Sequence, residues 1–372
     1  MPTLFEPYGL GPITLSNRLV MNPMTRSRSN GAGLAGAMMA DYYGQRASAG
    51  LIITEGTAPT PSGKGYARIP GLWSEKQTES WKPVTAAVHA KGGRIFAQLM
   101  HTGRVSHTDN MPHGATIVAP SALAAPGKMF TDSKGLQDHP LPHAMNEDEI
   151  LHTITSFAKS AANAVAAGFD GVELHGANGY LIEEFLSPVT NQRKDAWGGS
   201  VEKRLRFALE TAKAVTAAIG GEKVGMRISP YGLNGGMQAY PEIDETYLAL
   251  AKGLGELNLV YLHLADHEAL GAPAVPASLR DSLRKAWSRT LLIGGSLDLA
   301  SAEKLIQGGK ADLAGFGRAF LANPDLVRRW TEGKPLNKID PDTFYTPGIK
   351  GYTDYPALPA ADAAPAAEVV PA

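Results

Sequence analysis

Gly171-Val172-Glu173-Leu174-His175 runs directly into Gly176-Ala177-Asn178-Gly179-Tyr180-Leu181. A short stretch with strand character thus empties into a glycine-bearing turn crowded with polar side chains. Seven more short β-rich runs accompany it: Leu19 to Met21, Leu51 to Thr54, Arg94 to Leu99, Val224 to Ser229, Leu259 to Leu264, Thr290 to Ile293 and Asp312 to Phe316. Runs that are apolar on both faces suit parallel strands covered on each side. Most are separated by segments with helical periodicity, among them Glu75 to Lys91, Glu147 to Ala167, Val201 to Ile219, Ser278 to Trp287 and Leu299 to Gln307. Strand alternating with helix gives right-handed βαβ units, and eight such units suffice to close a barrel. The expected fold class is therefore α/β, a (β/α)8 TIM barrel.

Ahead of the first unit, Leu4 to Tyr8, the glycines of Gly9 to Pro12, and Ile13-Thr14-Leu15 predict an N-terminal β-hairpin placed to plug the barrel floor. After strand three, residues 105–146 are rich in Pro, Gly and His and lack a helical period. They are too long for an ordinary βα loop, so an inserted lid or subdomain is expected. One domain is expected over residues 1–356. Residues 357–372, mostly Ala and Pro, cannot supply a core and are expected to form a disordered tail.

The 372 residues are 44% hydrophobic and 19% charged, values of an ordinary globular chain. Lys plus Arg total 35 against 36 Asp plus Glu, so there is no electrostatic footprint for nucleic acid or an anionic membrane. The absence of cysteine excludes disulfides, thiolate metal sites, iron–sulfur clusters and a Cys nucleophile. No HExxH pattern suggests a metal. The start, Met1 to Glu6, lacks a basic and apolar leader, and a cytoplasmic location is the expectation.

Barrel enzymes place their reactive groups where strands end at the C-terminal face. Here those positions are polar: Asn22-Pro23-Met24-Thr25-Arg26 after strand one, Glu55-Gly56-Thr57 after two, Gln98 on three, His175 with Asn178 and Tyr180 after four, and Arg227 on five. Gly294-Gly295-Ser296 follows strand seven, and Gly317-Arg318 follows strand eight. The last two positions are where barrels commonly bind phosphate. Glycine lets an anion reach backbone N–H groups, and a following helix start adds partial positive charge. Alternatively, these glycines simply turn tight βα loops.

His175, Asn178 and Tyr180 place an imidazole, an amide and a phenol within six positions. His175 and Asn178 can hold a carbonyl or nitro oxygen and make its conjugated β-carbon more electrophilic. Tyr180, a phenol with an ordinary pKa near 10, stays protonated at neutral pH and can deliver a proton to the α-carbon. The alternative for His175 alone is a core histidine satisfied by backbone. Arg227 inside a core strand needs an anionic partner, either a ligand or a barrel carboxylate. Gln98 can equally be a buried amide satisfied by its neighbours. Gly31-Ala32-Gly33-Leu34-Ala35-Gly36 matches GxGxxG, but Pro23 to Asn30 separate it from its strand, so a dinucleotide fold is not expected.

Taken together, these residues resemble the Old Yellow Enzyme family, in its bacterial branch of alkene, N-ethylmaleimide and nitrate-ester reductases. The resemblance runs from about Leu4 to Pro356. It is carried by Asn17-Arg18 through Arg26, Gln45 through Glu55, Gln98-Leu99-Met100-His101-Thr102-Gly103-Arg104, His175 through Leu181, and Phe185-Leu186-Ser187-Pro188. Asn191 through Asp195 with Gly198-Gly199-Ser200, Tyr345-Thr346-Pro347-Gly348, and Gly351 through Pro356 complete it.

The resemblance implies FMN across the barrel mouth and NADPH or NADH as reductant. Pro23, Met24 and Thr25 would then lie against the flavin, with Thr25 on O4, Gly56 nearby and Gln98 on the pyrimidine edge. Arg227 would lie by N1, and Gly294, Gly295, Gly317 and Arg318 would hold the phosphate. His175 and Asn178 would bind the activating oxygen of an electron-poor alkene. Tyr66, Met100 and Tyr345 would line the substrate cavity. Met100 replaces a tryptophan usual in these relatives and implies a roomier, more adaptable pocket.

The implied reaction is ping-pong. A nicotinamide reduces the flavin, hydride passes from flavin N5 to the β-carbon of an unsaturated carbonyl, maleimide or nitroalkene, and Tyr180 protonates the α-carbon. Alternatives are a nitrate-ester, nitro or quinone reductase on the same scaffold, a flavin-free barrel lyase or isomerase, or a non-catalytic FMN carrier. The lyase would need a Schiff-base lysine or a carboxylate base, for which Glu55 is the sole candidate.

Overall fold

The computed structural model describes residues 3–359. Eight parallel strands close into a barrel: β1 (Leu19–Met21), β2 (Leu51–Ile53), β3 (Ile95–Leu99), β4 (Gly171–Gly176), β5 (Val224–Ile228), β6 (Tyr261–Ala265), β7 (Thr290–Gly294) and β8 (Leu313–Phe316). Each pairs with its neighbour in chain order, β8 pairs with β1, and β4 pairs with β3 to complete the ring. Around and above it lie α1 (Ala37–Gln45), α2 (Glu75–His89), α3 (Glu147–Ala166), α4 (Leu181–Leu186), α5 (Val201–Ile219), α6 (Ile243–Glu256), α7 (Ala277–Ala286), α8 (Leu299–Gln307), α9 (Arg318–Ala322) and α10 (Leu326–Thr331).

Several helix starts are written into the sequence. Ser74 with Gln77, Asn146 with Glu149, and Asp298 with Ser301 form reciprocal capping boxes at α2, α3 and α8. Each box satisfies otherwise orphaned backbone donors at the first turn.

Alternation along the strands sorts side chains into two shells. Val172 and Leu174 of β4 join the large core between barrel and helices, whereas Glu173 and His175 lie on the other face, inside the barrel. The lowest interior layer is apolar: Val20, Leu51, Ile53, Phe96, Tyr261, Leu292 and Leu313 pack together. Tyr8–Leu10 pairs antiparallel with Ile13–Leu15, and Leu10 and Leu15 close that layer from below. Above it sits a polar layer. The fully buried Glu173 carboxylate accepts from Gln98 Nε2 at 2.8 Å, Tyr261 OH at 3.0 Å and His263 Nδ1 at 2.8 Å. Gly225 leaves room for the Tyr261 ring, which a side chain at that position would overlap.

Residues 105–146 carry a hairpin, Lys128–Thr131 with Gly135–Asp138, and a short parallel pair, Val118–Ala119 with His143–Ala144. Val105, Ala125 and Met129 of this insertion pack with Ile69, Met100, Tyr66 and Tyr180. At the other end of the chain, residues 357–359, expected to belong to a disordered tail, are instead placed against the barrel's last helices. Leu358 N–H donates to Asp325 Oδ2 at 2.6 Å, and Arg328 holds the Pro359 carbonyl at 2.7 Å. The remainder of that expected tail, residues 360–372, lies outside the described residues. No helix among the described residues is long and apolar enough to cross a membrane.

Candidate active site

The strand ends surround a cavity of about 500 Å3 at the C-terminal mouth. Pro23, Met24, Thr25, Gly56, Gln98, Met100, His175, Asn178, Tyr180, Arg227, Gly294, Gly295, Gly317, Arg318 and Tyr345 all line it. Tyr66 joins them indirectly, through Tyr180: the Tyr180 hydroxyl donates to the Tyr66 hydroxyl at 3.0 Å, with the rings edge to face.

His175 is buried, and desolvation, reinforced by Arg227, drives its pKa well below the usual imidazole value. It is therefore neutral at physiological pH. Its Nδ1 accepts the Ala177 backbone N–H at 3.3 Å, which assigns the proton to Nε2. The Asn178 amide nitrogen lies 3.4 Å from that Nε2. Two donors cannot satisfy each other, so both are available to one external oxygen. Burial first, and Tyr66 second, hold the Tyr180 phenol well above its usual pKa, so it keeps its proton.

Arg227 makes no ion pair among the described residues, and its buried Nε has no partner. Burial lowers its pKa while Glu173 opposes that shift. An arginine still remains a cation at neutral pH. A half-buried guanidinium without its own counter-ion is suited to an anionic or electron-rich ligand. The carboxylate alternative for Arg227 is thus set aside, because Glu173 is taken by Gln98, Tyr261 and His263. Gln98 is shared: its amide serves Glu173 while the residue lines the cavity.

One glycine is required by space. Gly295 has φ +121°, and a methyl there would collide with the Asp266 carbonyl, so only glycine lets the chain leaving β7 run this close to the residue after β6. A methyl on Gly56 would overlap the Met100 side chain. The expected helix contribution to anion binding is smaller than the sequence suggested, because α9 spans five residues. What the mouth offers an anion is instead Arg318 and the cavity-lining backbone of Gly294, Gly295 and Gly317. Side-chain-free backbone at Gly294, Gly295 and Gly317, with Arg318 beside it and unpaired Arg227 deeper in the mouth, fits an elongated ligand with an anionic tail and an electron-rich head. FMN has that shape and charge.

Glu55 is buried beneath the mouth, where it accepts from Tyr43 OH at 3.2 Å and Arg26 N–H at 3.4 Å. It does not line the cavity, and neither does any lysine among the described residues. Glu55 is thereby lost to the lyase alternative as its base. No group of three His, Cys, Asp or Glu residues among those described is placed to hold a metal.

Several cavity residues escaped the sequence reading. Asp266 and His267 directly follow β6, so the strand-end rule would have found them. Burial lowers the His267 pKa to about 4. Asn234 stands in the loop after β5, and Phe344 arrives from the far end of the chain. Only tertiary contacts bring Phe344 there: Arg28 binds the carbonyls of Thr343, Phe344, Gly348 and Lys350, and Arg26 binds those of Phe344 and Gly351.

Residues 3–337 match the family model described as NADH:flavin oxidoreductase / NADH oxidase. The chain belongs to this family. It is an FMN-dependent oxidoreductase that takes its electrons from a nicotinamide. Among relatives of the NADH:flavin oxidoreductase family, it is 43% identical over 361 residues to a probable flavin mononucleotide-dependent alkene reductase of Leishmania infantum, covering 95% of this chain and 97% of the relative. It is 41% identical to the chanoclavine-I aldehyde reductase ifgG of Penicillium roqueforti, with 96% of each chain covered. Among solved structures it is similar to morphinone reductase, with TM-score 0.92, 42% identity and 96% of each chain covered. The Old Yellow Enzyme homologue from Zymomonas mobilis matches with TM-score 0.92 and 40% identity over 96% of this chain and all of that one.

Proposed function

We propose that this protein reduces the C=C bond of electron-poor alkenes, such as α,β-unsaturated carbonyls, maleimides and nitroalkenes, at the expense of NADPH or NADH. The observation that carries the reading is the convergence of His175 Nε2–H and the Asn178 amide beside the protonated Tyr180 hydroxyl, within one cavity that also holds the unpaired Arg227. Thr25, Gly56, Gln98 and Arg227 would hold the flavin ring, and Gly294, Gly295, Gly317 and Arg318 its phosphate. Bound there, FMN would supply the hydride for the β-carbon, drawn in turn from the nicotinamide.

His175 and Asn178 grip the carbonyl or nitro oxygen, and their hydrogen bonds strengthen as negative charge develops there. Because His175 is neutral, it stabilises by hydrogen bonding without surrendering its proton. Tyr180 then protonates the α-carbon. The insertion acts as a lid: Val105, Ala125 and Met129 cover the apolar side of Tyr180 and keep water from it. Met100 and Tyr345 shape the remaining wall, with Tyr66 backing Tyr180, and flexible Met100 tolerates substrates of different shape. One relative is named a probable flavin mononucleotide-dependent alkene reductase, which supports the same reading.

The test is a yellow protein bleached anaerobically by NADPH, with its colour restored by cyclohex-2-enone and cyclohexanone formed in equal amount. Reduced enzyme that cyclohexenone oxidises no faster than buffer alone would overturn the proposal.

A further inference from the structure

The donor triplet stands on an unusual turn. Asn178 has φ +62° and Gly179 φ +73°, two successive left-handed residues, the first carrying a side chain. Asparagine tolerates that region better than most residues but is still disfavoured there, so the surroundings must hold it. Local sequence does not supply the restraint, and a methyl at Gly179 would strike the Asn234 carbonyl.

The restraint comes from Glu183, in α4 one turn beyond Tyr180. Its side chain is buried, and one carboxylate gathers three donors from three parts of the fold. Gly179 N–H reaches Oε2 at 2.6 Å, Ser229 Oγ–H at the end of β5 reaches Oε1 at 3.0 Å, and Tyr247 of α6 donates its hydroxyl to Oε1. Ser229 spends its hydrogen on Glu183, so its oxygen lone pair is free to accept Asn178 N–H, at 2.9 Å. The chain of bonds therefore has one polarity, from Asn178 N–H through Ser229 to the carboxylate. Both backbone amides of the left-handed pair are fixed, one directly and one through Ser229. Burial pushes the Glu183 carboxyl up to about 7, and the bonds from Tyr247, Gly179 and Ser229 oppose that shift.

We infer that Glu183 is a positioning residue that sets where the Asn178 amide stands relative to the oxygen of the substrate. The inference rests on the function proposed above for that side chain. Glutamine at this position keeps the shape, yet its NH2 cannot accept, so at least one of the three donors loses its partner. The turn then relaxes, and small displacements of reacting groups carry large rate costs.

The experiment compares the wild-type holoenzyme, Glu183→Gln, Asn178→Ala and the double variant, each first checked for FMN content and melting temperature. Reduced enzyme is oxidised by cyclohexenone, which needs the oxygen grip, and separately by dioxygen, which does not. Glu183→Gln is expected to slow oxidation by cyclohexenone about tenfold or more and to weaken cyclohexenone binding to oxidised enzyme in calorimetry, while dioxygen oxidation changes less than about twofold. In the Asn178→Ala background the same substitution is expected to cost less than about twofold, because two residues acting as one unit are not additive.

If Glu183→Gln disturbs folding, Ser229→Ala, which cuts only the link to Asn178, is expected to show a smaller loss with the same split between cyclohexenone and dioxygen. Wild-type cyclohexenone oxidation in Glu183→Gln and Ser229→Ala, or fully multiplicative losses in the double variant, would overturn the inference while a costly Asn178→Ala left the donor reading intact. A silent Asn178→Ala would overturn the donor reading, and this inference with it.

Discussion

At the barrel floor, Val20, Leu51, Ile53, Phe96, Leu292 and Leu313 fill the interior and a hairpin seals them with Leu10 and Leu15. At the mouth, the same eight strands end in His175, Arg227 and glycine backbones, with Arg227 Nε, Asn178 Oδ1 and Asn22 Oδ1 buried without partners. The floor satisfies itself and the mouth does not. Strand chemistry is shared, so the difference lies in what each end must bury: hydrocarbon below, and a ligand's polar groups above. The Glu173 layer separates the two, and its carboxylate is taken by Gln98, Tyr261 and His263 rather than by the mouth's donors.

This contrast is open to test from both ends. The largest effect is expected at the mouth: Tyr180→Phe should slow oxidation of reduced enzyme by cyclohexenone by about 10²-fold or more, read in stopped flow, with little change in melting temperature. Next, Arg227→Met should weaken FMN retention by about 2 kcal/mol or more, followed as flavin release on dialysis, because the flavin's electron-rich edge then faces no cation. At the floor the pattern should invert. Leu292→Ala should cost about 2–5 kcal/mol in urea unfolding and leave turnover per folded molecule nearly unchanged. A floor variant that altered turnover, or a mouth variant that mainly altered stability, would break the comparison.

The smallest effect concerns Glu184, which lies between the two regimes. Its Oε1 accepts Arg104 N–H at 2.8 Å, its Oε2 has no partner, and burial raises its pKa to about 8 from 4.5. The folded state thus holds this proton more tightly than the unfolded chain. Its contribution to stability is full below about pH 4.5 and is lost as pH rises toward about 8, on the order of 1 kcal/mol per pH unit. Urea midpoints at pH 6 and 7 should therefore differ less in Glu184→Gln than in wild type.

Much of this was readable in the chain. Strands buried on both faces announce themselves as apolar runs, which is why all eight barrel strands were found within a residue or two of their ends. The glycines after β7 and β8 and the polar cluster after β4 were legible because strand-end position alone makes such residues candidates. Asp266 and His267 were equally accessible by that rule and were overlooked. Glu183 was not accessible. In sequence it is one acidic residue of a short helix, and its role exists only because Ser229, Tyr247 and Gly179 meet it in space.

The sequence by itself determined the alternation of strand and helix, the sites where backbone must turn on glycine, and the chemical types offered at the mouth. Those features depend on neighbours a few residues apart, where periodicity and backbone sterics act. The tertiary structure alone decided which donors stay unpaired, which carboxylate holds the Asn178 turn, and that Phe344 returns to the cavity under Arg26 and Arg28. Such pairings depend on barrel closure, which brings together groups up to some three hundred residues apart that no local pattern connects.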